Sequence, residues 1–300
     1  MLTARSTSKI SFAAVLGFPL CFSLALPLVG CGGSAASSPS ATPATAPEAP
    51  TTEAKIKSAM TGAQRFPKEI ARDQYRHPLE TLSFFGLKDD MTVIELSPGA
   101  GWYTAILAPV LRDKGKLAVV GGDPNGPADS EGTKNAKKLQ ERFTQNAAIY
   151  SKVETRITKP KEDVVLGPPE SADLVLTFRN FHNWVESGTD TAMLAAIFKV
   201  LKHGGALGVE DHRAKPGAPT DKKTVEDTGY LPEAFVIKTI EAAGFKLAGK
   251  SEANANPKDT KDYPHGVWTL PPTLDLGDKD RAKYEAIGES DRMTLKFTKP

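Results

Sequence analysis

Three hundred residues with 40% hydrophobic and 25% charged side chains suit a globular protein with a real core, as one large domain or two small ones. The formal net charge is +2. Residues 1–30 carry Arg5 and Lys9 and no acid, so a chain without them is neutral, which gives no electrostatic case for nucleic acid. The two cysteines, Cys21 and Cys31, both precede the globular part, which excludes disulfides, zinc–thiolate sites and cysteine nucleophiles there.

The chain opens with Arg5 and Lys9, then an apolar run from about Ile10 to Val29, then Leu28-Val29-Gly30-Cys31. A basic start, an apolar middle and a small residue before a cut describe a secretory signal. The last four residues resemble a bacterial lipobox. That resemblance implies a lipidated Cys31 as the new N-terminus and a place in the cell envelope. Gly32 rather than Asp after the cysteine points to the outer membrane. The alternative is a plain transmembrane anchor, since roughly 20 apolar residues span a bilayer, but Pro19 and Pro27 interrupt the run. Residues 32–52 are almost wholly Gly, Ala, Ser, Pro and Thr and bury no apolar surface. The expected division is a signal over 1–30, a disordered tether over 31–53 and a domain over 54–300, with the membrane reached through the lipid.

From residue 54 the pattern alternates between helix and strand. Residues 54–87 read as helical with breaks at Pro67 and Pro78. The first strand is Met91–Leu96, followed by a helix from about Trp102 to Arg112 and a second strand, Lys116–Val120. A polar amphipathic helix covers 130–148, and Lys152–Ile157 is a third strand. Asp173–Phe178 is an apolar strand. The helix at 189–201 places Met193, Leu194, Ile197, Phe198 and Leu201 on one face, and Gly204 suits its left-handed C-cap. Ala206–Glu210 is the fifth strand. Pro232–Ala243 is a helix with proline in its first turn and Gly244 after its end. Phe245–Glu252 and Arg292–Lys299 are the last two strands, separated by a long insert with one short helix near 278–287. This alternation predicts an α/β fold, a mostly parallel seven-stranded sheet with helices on both faces. Ligands of such sheets bind beyond the carboxyl ends of the strands. Glu95, Asp123, Arg179 and Asp211 all fall at or just after strand ends and are expected on one rim.

The most informative stretch is Val93-Ile94-Glu95-Leu96-Ser97-Pro98-Gly99-Ala100-Gly101-Trp102-Tyr103-Thr104. It reads as a buried strand ending in an acid, a glycine turn and a helix start. That turn lets backbone N–H groups approach a ligand closely. Asp123, after the second strand, is placed to bind ribose hydroxyls. Together they point to a nucleoside-containing cofactor. A nicotinamide dehydrogenase wants Gly-x-Gly-x-x-Gly, and Thr104 stands where the third glycine belongs.

Glu95–Gly101 resembles the first motif of class I S-adenosylmethionine-dependent methyltransferases. Leu201-Lys202-His203-Gly204-Gly205 is similar to that family's turn before strand five, and Glu241-Ala242-Ala243-Gly244-Phe245 to its turn before strand six. Order and spacing match over roughly 88–252. The chain looks closer still to a bacterial branch of predicted methyltransferases with Arg-x-x-x-Tyr-Arg-His-Pro before strand one and Arg-Asn-x-His-x-Trp after strand four. Here these are Arg72, Tyr75, Arg76, His77 and Pro78, and Arg179, Asn180, His182 and Trp184. The resemblance implies a Rossmann-like class I methyltransferase fold and S-adenosylmethionine as cofactor. It implies that Glu95 braces the glycine loop, that backbone around Ser97, Gly99 and Gly101 meets the methionine part, and that Asp123 binds the ribose. Tyr103, Arg179 and Asn180 are the other expected cofactor contacts. Ser97 replaces the usual first glycine. The acid after strand three has no clear match beyond Glu162 and Asp163.

Methyl transfer needs an oriented acceptor and, for oxygen or protonated nitrogen acceptors, a base. His182 is the first candidate base and His212 the second, with Asp211 beside His212 to fix its tautomer. Either is otherwise a structural histidine. Arg76 is expected to hold the methionine carboxylate or to pair at the surface with Asp73 or Glu80. Trp184 is a candidate wall of the acceptor pocket, and His265 of a lid. The acceptor is expected to be a small molecule or envelope component. S-adenosylmethionine is made in the cytoplasm, which keeps one alternative open: an exported, non-catalytic lipoprotein binding a nucleoside-like or other small ligand.

Overall fold

The computed structural model describes residues 49–159 and 164–300. Cys31, most of the tether, Glu162 and Asp163 lie outside the described residues. The first helix, Thr52–Met60, starts two residues before the expected boundary because the Thr51 hydroxyl caps it, accepting from Ala54 N. Pro67 and Pro78, expected as breaks, each open a new short helix, Pro67–Ile70 and Pro78–Phe85. Between them, Asp73–Arg76 ends at His77, whose left-handed backbone turns the chain sharply.

Seven strands form one sheet: β1 Thr92–Leu96, β2 Lys116–Gly121, β3 Glu154–Ile157, β4 Ala172–Phe178, β5 Leu201–His212, β6 Lys246–Ser251 and β7 Arg292–Thr298. Their order is β3-β2-β1-β4-β5-β7-β6. The first five are parallel, and β7 runs antiparallel between β5 and β6. Alternate residues feed opposite faces, as the pleat requires. In β4, Leu174, Leu176 and Phe178 join Phe85, Ile106, Leu107 and Val110 on one side. Val175 joins Met193, Leu194, Ile197, Val236 and Ile240 on the other. Glu95 shares the side of Val93, facing the buried helix Thr104–Leu111. Among the described residues no helix is long and apolar enough to cross a membrane.

Several expected elements change form. The helix expected over 130–148 divides into Glu131–Gln145 and Ala147–Tyr150. The helix before β5 spans Asp190–Val200, and β5 begins at Leu201 rather than Ala206. Gly204 is left-handed (φ +76°), but inside β5 beside a register shift against β4, not at a helix end. Helices Phe181–Ser187 and Lys222–Thr228 and a 3₁₀ turn at Gly266–Thr269 were not visible as periodic patterns.

The strand order reverses between β1, which leads to β2 on one side, and its other neighbour β4. The crevice at such a switch point is where open α/β sheets bind ligands. Ser97, just past β1, and Arg179, just past β4, both hold left-handed backbones, at φ 48° and 58°. Non-glycine residues there are strained, and such strain concentrates at functional sites.

Candidate active site

Three adjoining cavities occupy the rim. The largest, about 500 Å³, lies between the turn Ser97–Gly99, the end of β2 and the helix Glu131–Gln145. Gly99 (φ +58°) faces open space, and a Cβ there would project into it. At Gly122 a Cβ would fall 2.9 Å from the Gly132 carbonyl oxygen, so only glycine lets that helix close against the strand end. Asn135, Gln140 and Phe143 supply polar and aromatic wall. Asp123 is not in this wall. Its Oδ1 accepts from Asn125 N at 2.8 Å and closes its own loop. Its neighbours Gly122 and Pro124 line the cavity, as does a second acid, Glu131.

A second chamber, about 130 Å³, shares Ser97, Pro98, Gly99 and Asn180 with the first and adds Arg76, Glu95, Trp102, Tyr103, Phe178 and Arg179. Asn180 Nδ2 donates to the carbonyls of Phe178, Leu96 and Ser97 at 3.0, 3.3 and 3.4 Å, joining the ends of β1 and β4. Glu95 accepts from Thr104 Oγ1 at 2.6 Å and so ties β1 to the first turn of the next helix. Burial pushes its carboxyl up to about 7, against the lowering effect of that bond. Tyr103 stacks on Phe178 with centroids 3.6 Å apart and donates to Glu210 Oε2 at 3.3 Å.

Arg76 is 1% exposed, which excludes the surface pairing with Asp73 or Glu80. Asp73 pairs with Arg65 instead. The Arg76 Nε donates to Glu289 at 3.1 Å, its guanidinium lies over Trp102, and its Nη2 is buried without a partner. Glu289 also accepts from Arg72 Nε at 2.6 Å and Arg292 Nη1 at 3.2 Å. Burial alone would raise the Glu289 carboxyl, but Arg76, Arg292, Arg72 and Arg179 outweigh it and hold it at about 2. Arg292 Nη1 lies 2.9 Å from Glu210 Oε1, and its Nη2 donates to the Tyr75 carbonyl.

The third cavity, about 240 Å³, is walled by Arg179, His182, Asn183, His212, Glu289 and Ser290 below the insert at Trp268–Thr273. His182 is not a loop residue: it sits in the first turn of the helix Phe181–Ser187 and is buried. Asp211, fully buried at the end of β5, accepts from His182 N at 2.8 Å, His182 Nδ1 at 2.8 Å and His212 N at 2.7 Å. The expected Asp211–His212 side-chain pair is therefore an Asp211–His182 pair, because adjacent β4 and β5 bring the helix after β4 over the end of β5. A carboxylate only accepts, so His182 Nδ1 carries the proton and Nε2 is left as an acceptor. His212 Nδ1 meets Ser290 Oγ at 2.6 Å. Burial, then His182, Arg179, Arg292 and Arg76, hold His212 well below the usual histidine range.

Trp184 packs against Phe181 in the core and walls no part of these cavities. His265 is exposed, bonds Asp275 and lines none of them. Glu210, Glu289, Ser290 and Arg292 were not anticipated. The Glu210-Asp211 pair at a strand end was a readable signal. Glu289-Ser290-Asp291-Arg292 looks like an ordinary solvated turn until the fold buries it.

No protein-family model matches the sequence, and no curated protein matches it. Solved structures do. An S-adenosylmethionine-dependent methyltransferase from Aquifex aeolicus aligns with TM-score 0.51 and 18% identity over 83% of this chain and 98% of that one. The chain has the Rossmann-like class I methyltransferase fold. The [4+2]-cyclase SpnF aligns with TM-score 0.53 and 14% identity over 85% of this chain and 98% of that one. A methyltransferase and a cyclase share this architecture, so the reaction is argued from the site.

Proposed function

We propose that this protein is an S-adenosylmethionine-dependent methyltransferase acting on a small acceptor, tethered to the bacterial envelope by lipid on Cys31. One observation carries the reading: three cavities that share walls, from the glycine turn past Arg76 and Arg179 to His182, whose Nδ1 bonds Asp211. The residues fit the cofactor. The large cavity is open at Gly99 and has room for an adenosine. The unpartnered Arg76 Nη2 in the next chamber suits a carboxylate. Glu131 would hold ribose hydroxyls, the turn around Ser97, Gly99 and Gly101 the methionine part, and Arg76 its carboxylate. Asn180 and Tyr103 keep that chamber's walls in place.

Bound there, the cofactor supplies an electrophilic methyl group on a sulfonium. The chain's residues supply orientation, dryness and a proton acceptor. His182 Nε2 takes the proton that the acceptor's oxygen or nitrogen gives up as it gains the methyl. Asp211 steadies the resulting imidazolium.

Calorimetry of the full chain with S-adenosylmethionine and S-adenosylhomocysteine tests the reading. One site of sub-millimolar affinity is expected. Glu131→Ala should weaken it about tenfold or more, since a hydrogen bond to a charged group contributes about 1.5–3 kcal/mol. No binding of either nucleoside at millimolar concentration would refute the cofactor assignment. Lipidation is checked separately. Cys31→Ser should abolish labelling by a fatty-acid probe and leave unprocessed precursor in the cell, and unchanged labelling would remove the anchor from the proposal.

A further inference from the structure

Four guanidiniums, of Arg72, Arg76, Arg179 and Arg292, gather around the second and third cavities. Three of them are paired: Arg72, Arg76 and Arg292 all donate to Glu289, and Arg292 also faces Glu210. Arg179 is different. Its Nε is buried without a hydrogen-bond partner, and no described carboxylate pairs with its guanidinium. The carboxylates nearest to it, Glu289 and Glu210, make their ion-pair contacts with other arginines. Glu289 holds the three other arginines, Glu210 takes Arg292 and Tyr103, and Asp211 accepts from His182 and two backbone amides.

Arg179 is half-buried, but leaving its buried Nε without a partner is costly, and a fork of N–H donors is the geometry that binds an oxyanion bidentately. Arg179 also stands in the wall of both the middle chamber and the third cavity. In the third it shares the space with His182 and His212. Opposite them are the apolar surfaces of Val267, Trp268, Pro271 and Pro272. The cavity, about 240 Å³, has room for a small molecule only. A cation is disfavoured there, even though His182, Asp211 and His212 bring ligand atoms within 4.8 Å of one another. Positive charge surrounds them and Asp211 has its donors already.

We propose that the methyl acceptor is a small organic acid, whose oxyanion is held by Arg179 while its apolar body lies against Trp268 and its nucleophile faces His182. This rests on the methyltransferase reading for the word acceptor; the anion site itself does not. Carboxylate and phosphate share the chemistry that Arg179 recognises, so both are tested.

The experiment is calorimetry of the full chain with benzoate, phenyl phosphate and neutral benzamide, each with and without saturating S-adenosylhomocysteine. Benzoate or phenyl phosphate should bind about tenfold or more tightly than benzamide, and the tighter of the two identifies the oxyanion. Arg179→Gln should erase that preference while changing S-adenosylhomocysteine affinity less than about threefold, and Arg179→Lys, which keeps the charge but not the fork, should retain part of it. If R179Q does not fold, R179K decides alone: full preference in it overturns the fork. Equal binding of benzamide, or an undiminished preference in R179Q, overturns the inference. So does a tenfold loss of S-adenosylhomocysteine in R179Q, which would assign Arg179 to the cofactor. Should wild type bind no nucleoside, the methyltransferase reading fails while the nucleoside-free titrations still decide the anion site.

Discussion

Replacing His182 is expected to lower kcat by about 10²–10⁴-fold, the range a positioned base contributes, while S-adenosylhomocysteine affinity stays within about threefold. The base acts only as the acceptor loses its proton, so ground-state binding of the cofactor is untouched. His182→Asn is the informative variant. Its amide can still donate to Asp211, as Nδ1 does at 2.8 Å, but nothing replaces Nε2. His182→Ala would instead leave a fully buried carboxylate short of a donor and confuse stability with chemistry. Turnover is read as S-adenosylhomocysteine released from S-adenosylmethionine in the presence of the acids that Arg179 binds. His212→Ala is the comparison. A larger loss there would move the base to His212, whose imidazole is kept neutral by burial. Full activity in both variants would leave catalysis to proximity.

Glu289→Ala should destabilise the folded chain by about 3–5 kcal/mol, measured by urea denaturation at pH 7. Breaking one partner out of a buried ion network strands the rest, and here Arg72 and Arg76 lose their carboxylate and Arg292 loses one of two. The pH dependence adds a signature. The folded carboxyl, at about 2, lies below its ordinary 4.5, so its contribution is complete above pH 4.5 and is lost as pH falls toward 2. That slice is on the order of 3 kcal/mol. Glu95 works in the opposite direction. At about 7 its folded carboxyl lies above 4.5, so its contribution is complete below pH 4.5 and is lost as pH rises through 7. The variant should therefore flatten the acid limb of the stability profile and leave the neutral limb as in wild type. An unchanged acid limb would show that Glu289 carries no net ion-pair stabilisation.

What the sequence disclosed followed the range of the physics. The β1–turn–helix unit is local, twelve consecutive residues whose hydrophobic run, acid and glycines need no partner to be read, and it lies where expected. The sheet follows from strand–helix alternation in the same way. The pairing of His182 with Asp211 spans 29 residues and depends on β4 lying beside β5, which periodicity does not state. Arg76 and Glu289 are 213 residues apart, and nothing local distinguishes that arginine from a solvated one. Asp123 lies just after β2 as expected, and the turn chemistry of Asp-Pro-Asn-Gly brings its Oδ1 onto Asn125 N, a local contact that strand spacing alone does not state. Helix Phe181–Ser187 was missed because seven residues are too few for a periodic signal.

The placement of β7 has a bearing on how the protein is made. Residues 289–292 lead into a strand that must slot between β5 and β6, and they bring Glu289 to Arg76 and Ser290 to His212. A nascent chain on the ribosome therefore has the wall of the large cavity encoded by residue 183, but the third cavity lacks its Glu289 and Ser290 wall until residue 290 has been added. A chain that ends in the long insert lacks Glu289, the carboxylate that Arg72 and Arg76 share.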